Sequence, residues 1–315
     1  MLKFLVRRVS LLVLTLLVAS FAIYSAMYLA PGNPIAALLG GRTPTPEAIK
    51  VLEARYHLND PFIIRYLRWL GAALHGDFGV SIQLRQEVST IIAQRIGTTV
   101  QLVLYSSLII IVFGIAMGLL GGLKKGVLDN MVIGVTTLSA AVPSFVASII
   151  LLSVFAVNLG WFPALGAGDG VVDQLKHLTL PAVALAFSSI ALVARITRSA
   201  VREELGREHV QTAVSRGIPY RMVVRRHVFR NAAIPITTVV GITIASLFAA
   251  SAVVERAFAL NGIGSYLIQA ALSKDIAVVQ GISLVIVAVF VVVNAIVDLL
   301  YAVLDPRVSL GAKAS

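Results

Sequence analysis

The apolar residues of this chain fall into long, nearly unbroken runs at 9–30, 100–122, 131–157, 178–194, 236–254 and 277–303. They do not alternate with polar residues at the period of a half-buried strand or a surface helix. A helix rises about 1.5 Å per residue and the hydrocarbon core of a bilayer is about 30 Å thick, so roughly 20 apolar residues are needed to cross it. The pattern therefore predicts six membrane-spanning helices. The fourth run, "HLTLPAVALAFSSIALVAR", contains a proline and two serines, and the fifth, "ITTVVGITIASLFAASAVV", is rich in Thr, Ser, Ala and Gly. Small and hydroxylated residues let helices approach closely in lipid, so these two are expected inside the bundle. The first run follows a basic "MLKFLVRR" but is longer than the apolar region of a signal peptide, and it ends in "APGNP" without a small-x-small cleavage pattern. It is expected to stay as a transmembrane helix.

Composition agrees with this pattern. With 58% apolar and 13% charged residues and a mean hydropathy of +0.92, the chain lies outside soluble globular usage. Zero cysteines exclude disulfides, thiolate metal sites and a cysteine nucleophile. The net charge of +11 matters through its placement. The N-terminal tail, the connections 123–130 and 195–235 and the C-terminal tail carry sixteen Lys and Arg, whereas the opposite connections 158–177 and 255–276 carry only Lys176, Arg256 and Lys274. The positive-inside rule then expects both termini in the cytoplasm of a multi-pass membrane protein.

Between the first two runs, 31–97 reads as helical extracytoplasmic structure. "TPTPEAIKVLEARYHL" and "DPFIIRYLRWLGAALHG" each begin with proline and place apolar residues at helical spacing, which predicts two amphipathic helices.

The polar connection 195–235 is the sharpest feature. Its stretch "QTAVSRGIPYRMVVRRHVFRN", residues 211–231, holds five arginines and a histidine. Val210, Ala213, Val214 and Gly217 recur at i, i+3, i+4 and i+7, one narrow stripe of small residues on a helix. Gly217 and Pro219 predict its end and a second helix after it. A solvated basic loop is the bland reading. A DNA-binding helix-turn-helix is disfavoured, because spans tether the element tightly on both sides. A helix that only faces water gains nothing from Ala213 and Gly217, so the stripe is expected to lie in a groove of another protein.

The run Ala213, Gly217, His227, Asn231 and Pro235 resembles the "EAA" loop of the permease subunits of ABC importers, in the form found in the dipeptide and oligopeptide family. The resemblance extends through "LKFLVRR", "LAPGNP", the segment from "TPEAIK" to "GDFGVS", "LGWFPALG", "HLTLPA", "VVERAFALNGIG", "VVQG" and "VNAIVDLLYAVLDPR", in the family's order. The acidic residue that names the motif is replaced by Gln211 and the next alanine by Thr212.

The resemblance implies an all-α membrane protein with six transmembrane helices of the type I importer permease kind. Its divisions are the N-terminus with the first span (1–30), the extracytoplasmic segment (31–97), a five-helix core (98–304) containing the coupling loop 195–235, and a tail (305–315). It implies coupling to an ATP-binding subunit through Val210, Gln211, Thr212, Ala213, Val214, Ser215, Arg216, Gly217 and Ile218, supported by His227, Asn231 and Pro235. The implied partners are a second six-span permease, one or two ATP-binding subunits, an extracytoplasmic substrate-binding protein and membrane lipid, with no nucleic acid. ATP and Mg would sit in the partner subunits, with no cofactor on this chain and no enzymatic activity of its own. The implied cargo is dipeptides or oligopeptides, with nickel, glutathione, haem and sugars as the family's alternatives.

No G-x-x-x-x-G-K-[ST] loop occurs; "GLLGGLKKG" lacks the order needed to cradle phosphates. An ion-gradient-driven transporter is the alternative, weakened by the absence of an evident inverted repeat and of mid-span charges. A scaffold or intramembrane enzyme lacks clustered chemistry. Glu255, Arg256, Phe258 and Asn261 are expected at the outer mouth, as a gate or as a contact for the binding protein. Asn294 and Asp298, one turn apart in the last run, are expected to form a structural polar pair.

Overall fold

The computed structural model describes residues 2–29 and 60–304, and among them it is helical throughout, with a single extended bridge between Val80 and Glu87. The helices are α1 (Leu2–Leu29), α2 (Phe62–Leu74), α3 (Val88–Leu123), α4 (Val127–Ala141), α5 (Ser144–Asn158), α6 (Val171–Leu205), α7 (Glu208–Ser215), α8 (Tyr220–Ala257), α9 (Ile263–Leu272) and α10 (Ile276–Leu304). Five of them (α1, α3, α6, α8 and α10) are long and apolar enough to cross a membrane. The third predicted run is instead α4 and α5, bent by 98° at Val142 and Pro143. A proline there has no N–H to continue the helical ladder, which is what lets the chain turn.

Helix α6 is the axis of the bundle and packs on α3, α4, α5 and α8. Over half of its most apolar stretch is buried within the chain, 56%, followed by 44% for α8 and falling to 6% for α1. The two runs rich in small and hydroxylated residues are thus the two most enclosed, as expected. Both helices extend beyond their predicted limits. The end of α6 takes in the start of the polar connection, and the second helix predicted after Pro219 merges into α8 through a π turn at Val224–Val228.

A glycine ladder sets the contact between α3 and α6. Gly114, Gly118 and Gly122 recur every four residues and face Val193, Thr197 and Val201, which recur at the same spacing. A Cβ added to Gly118 would lie 2.4 Å from the Thr197 Cβ and 2.7 Å from the Ala194 carbonyl oxygen, so the two backbones touch here because side chains are missing. Numbers rise together along the seam, so α3 and α6 run parallel and Leu123 and Leu205 lie at one end of the bundle. The salt bridges from Arg198 and Arg202 to Asp129 place the start of α4 at that same end. The starts of α3 and α6 lie at the other.

The second predicted amphipathic helix of 31–97 is α2; the first falls at residues outside those described. Helix α2 lies against α1 through Phe21, Tyr24, Phe62, Tyr66 and Trp69, with the Phe21 and Tyr66 rings edge to face at 5.3 Å. The buried Tyr66 hydroxyl hydrogen-bonds with Ser20 Oγ at 2.9 Å.

Candidate functional site

Helix α7 is too short to persist alone in water, where isolated helices need about 12–15 residues. Three local features hold it. Its C-terminus closes as a Schellman motif: Gly217 N–H donates to the Val214 carbonyl (2.9 Å), Ile218 N–H to that of Ala213 (3.2 Å), and Gly217 adopts φ +71°. Its apolar anchors, Val210 and Ala213, pack into a cluster with Val201 of α6 and Val223, Val228, Ala232 and Ile236 of α8. Its first turn is tied by a carboxylate, described below.

The expected stripe is therefore corrected. Val210 and Ala213 are buried within this chain, Val214 is exposed, and nothing lies within 4 Å of a Cβ built on Gly217. The apolar positions serve the chain's own core because α6 and α8 flank the short helix and cover that face. Gly217 is small because its backbone is left-handed, not because a neighbour approaches. The face of α7 that remains open is Gln211, Thr212, Val214, Ser215 and Arg216. Arg221, Arg225, Arg226 and Arg230 at the start of α8 are exposed as well, as are Glu203 and Glu208.

The carboxylate is Glu204, at the last turn of α6. Its Oε1 accepts from Asn231 Nδ2 at 2.6 Å and faces His209 Nε2 at 2.9 Å, while the Arg207 guanidinium lies 3.8 Å from Oε2. An acid at a helix C-terminus opposes the dipole, so its place here is explained by these partners and not by helix propensity. Glu204 thereby joins α6, α7 and α8. His227 lies half-buried beside this group, its ring 6.3 Å from that of His209, and Pro235 sits within α8. Sequence reasoning placed Asn231 and His227 here but missed Glu204. The only signal for it was that the basic stretch also holds acids, and Glu204 is one of three beside Glu203 and Glu208.

Deeper at the same end, Asp129 takes two guanidinium groups: Arg198 Nε at 2.5 Å and Arg202 Nη2 at 2.7 Å. This pins the start of α4 to α6.

The other end holds the second group of expected residues, and the structure divides it. Glu255 is fully buried, accepting from Thr99 Oγ1 (2.8 Å), Ser251 Oγ (2.9 Å) and the Ser265 N–H (2.8 Å). Phe258 is buried in the main core. Arg256 and Asn261 are exposed. Of the residues expected at the outer mouth as a gate or a binding-protein contact, Glu255 and Phe258 are thus internal, Glu255 joining α3, α8 and α9 and Phe258 packing in the core, and neither offers a surface to a binding protein. A buried carboxyl group needs such a set of donors, and α3, the preceding turn of α8 and the first turn of α9 supply one each. Nearby, Asp275 binds Ser81, and Arg95 stacks on Tyr266, whose phenol is raised above its usual range chiefly by burial and stays a neutral hydroxyl. In α10 the Asn294 amide donates to the Phe290 carbonyl of its own helix at 2.8 Å; the Asp298 side chain lies outside the described residues.

The chain matches two family profiles end to end. Residues 1–103 match the N-terminal membrane component of binding-protein-dependent transport systems, and residues 110–310 match the inner membrane component of such systems. It is 37% identical over 306 residues to a putative peptide transport system permease protein of Brucella abortus (strain 2308), covering 96% of this chain and 97% of that one. It is 34% identical over 310 residues to the oligopeptide transport system permease protein OppB of Escherichia coli (strain K12), covering 98% and 99%. Among solved structures it shares the fold of a chain of the MetNI methionine ABC transporter in inward-facing conformations, with a TM-score of 0.57 and 16% identity over 68% of this chain and 96% of that chain. With its apolar helices, its small-residue seam and these matches across nearly its whole length, the chain belongs to the family of inner membrane components, or permeases, of binding-protein-dependent ABC transport systems.

Proposed function

We propose that this chain is the permease subunit of an ATP-driven importer of dipeptides or oligopeptides, that it forms half of the translocation path, and that it receives the work of ATP hydrolysis through α7. The observation that carries the reading is the mounting of α7: a short helix with one open face, seated on α6 and α8 by Val210 and Ala213 and tied to both by Glu204. A push on Gln211, Thr212, Val214, Ser215 and Arg216 then moves two long helices of the bundle together. Val210 and Ala213 act as the seat, Gly217 and Ile218 as the cap, and Asn231 and His227 as the support. Pro235 belongs to α8 above it.

In this reading both termini and α7 face the cytoplasm, in keeping with the excess of Lys and Arg at that end. The bent pair α4 and α5 counts as one crossing, because α3 and α6 run parallel and the chain between them has to return across the bundle; that makes six. A second permease completes the path. ATP-binding subunits carry ATP and Mg, and a substrate-binding protein docks on 31–97 and the exposed Arg256 and Asn261. The bundle has two states, one favoured by nucleotide and the other by its release. Peptide cargo rests on the Brucella and Escherichia relatives, whose names specify it.

The test uses the absence of native cysteine. The chain carrying Ser215→Cys is purified in mild detergent from its own host and its companions are identified by mass spectrometry, with oxidative cross-linking to single cysteines placed on the companion P-loop subunit. The expected result is a second permease, one or two P-loop subunits and a cross-link from position 215. Recovery of the chain alone, still moving solute without ATP, overturns the proposal.

A further inference from the structure

The end of the bundle opposite α7 holds a carboxylate that the reading above does not use. Asp275 sits between α9 and α10 and is 1% exposed. Its Oδ2 accepts from Ser81 Oγ at 2.5 Å and from the Gln83 N–H at 3.3 Å, across 194 and 192 residues of sequence. Ser81 in turn accepts the Leu84 N–H at 3.0 Å, and the turn it organises closes with the Val88 N–H on the Gly79 carbonyl. Phe78 and Val88 press on α10 so closely that a Cβ on Gly281 would meet Val88 at 2.8 Å and Phe78 at 3.0 Å. The end of 31–97 is thus packed on α10 by Phe78 and Val88 and hydrogen-bonded to the junction of α9 and α10 through the Asp275 side chain.

Two features exceed what a fastening needs. Lys274, immediately before Asp275, holds φ +58°, a left-handed conformation that disfavours any residue with a Cβ. It caps α9, with the Asp275 N–H on the Ala270 carbonyl at 2.9 Å, and so directs Asp275 inward at a cost in backbone strain. The second feature is incomplete pairing. Asp275 Oδ1 is buried with no hydrogen-bond partner, and so is Arg95 Nε of α3. The Arg95 guanidinium lies 4.4 Å from the ring centroid of Tyr266 of α9. Asp275 Oδ1 and Nε of the half-buried Arg95 are complementary, an acceptor and a donor that both lack a partner, and leaving either atom buried and unpaired is unfavourable.

We propose that Asp275 is a positioning residue of the transport cycle: it makes the 79–88 turn move with α9 and α10, and its free oxygen takes Arg95 as partner when these helices shift against α3 in the alternate state. The surface on which a binding protein lands is thereby linked to the helices at the mouth of the path. This rests on the permease reading of the preceding subsection.

The experiment uses the whole complex reconstituted in vesicles with its binding protein and a defined tripeptide, measuring ATP hydrolysis with and without the loaded binding protein. Asp275→Asn keeps an oxygen for Ser81 but cannot neutralise Arg95; Arg95→Gln removes the charge from the other side. Each is expected to leave basal hydrolysis intact while lowering stimulation by saturating loaded binding protein at least about fivefold, with the double variant no worse than either single, as for two residues acting as one pair. A contact of purely structural value would lower the yield of complex and leave the stimulation ratio unchanged. Full stimulation of Asp275→Asn, or additive losses in the double variant, overturns the proposal while leaving the permease reading intact. If Asp275→Asn does not assemble, Arg95→Gln decides by the same ratio. Should the unaltered complex contain no ATP-binding subunit, the permease reading fails and this proposal with it.

Discussion

Substituting alanine for Gly118 tests whether the glycine ladder sets the distance between α3 and α6. The new Cβ would stand 2.4 Å from the Thr197 Cβ and 2.7 Å from the Ala194 carbonyl oxygen. Carbon atoms pack best at about 3.5–4.0 Å, so the helices must part by roughly 1 Å, and neither obstructing atom can rotate away. Forcing a methyl group into a packed contact costs about 1–3 kcal/mol, against which replacing glycine by alanine inside a helix returns at most about 1 kcal/mol. The upper part of the range applies because parting at Gly118 also loosens Gly114 on Val193 and Gly122 on Val201, leaving a net loss of about 1–2 kcal/mol. The assay is the apparent melting temperature of the detergent-solubilised chain by fluorescence-detected size exclusion, with Gly97→Ala as the control, since nothing lies within 4 Å of a Cβ there. Gly118→Ala is expected to melt a few degrees lower and Gly97→Ala no lower than the parent. Thr197→Ala should not rescue Gly118→Ala, because the obstructing Cβ remains; Thr197→Gly should rescue it in part. A Gly118→Ala chain as stable as Gly97→Ala would refute the reasoning.

At Gly217 the strain argument gives a ranking: Asn, which tolerates the left-handed region, should preserve function, whereas Leu costs about 1–2 kcal/mol at φ +71° and should reduce uptake through disorder of α7. Equal uptake by Gly217→Asn and Gly217→Leu in a transport assay contradicts it. At Asp129, replacement by Ala leaves Arg198 and Arg202 without their shared carboxylate. The Asp129→Ala chain should melt below the parent, and the Asp129→Ala/Arg198→Ala pair should lose less than the two single losses added, as residues in one network do; additive losses in the thermal assay would count against the node.

Much of the architecture is a local property of the sequence. Each long apolar run lowers its free energy by leaving water whatever its neighbours are, so the crossing segments, the enclosure of the two small-residue runs and the imbalance of basic charge were all legible one segment at a time. The end of α7 was legible too, because a left-handed glycine followed by proline stops a helix by backbone geometry alone. The stripe on α7 was read as a small-residue face open to a partner, whereas the chain itself covers Val210 and Ala213 and leaves only Val214 and Gly217 open. A period of 3.6 marks the face that wants cover without saying whether the cover comes from α6 and α8 of the same chain or from a partner.

The remaining features depend on which distant helices meet. "GLLGGLKKG" was tested only as a phosphate loop, and its use became visible once Thr197 stood opposite Gly118. Glu255 could be placed at the outer mouth from the sequence, but its enclosure by Thr99 and Ser265 could not. Glu204 and Asn231, 27 residues apart, and Ser81 and Asp275, 194 apart, form pairs that no local pattern encodes. Apolar burial is non-directional and can be read along the chain. A hydrogen bond or a close backbone contact exists only at one separation and angle, and the packing of α3, α6, α8, α9 and α10 with the 79–88 turn sets those.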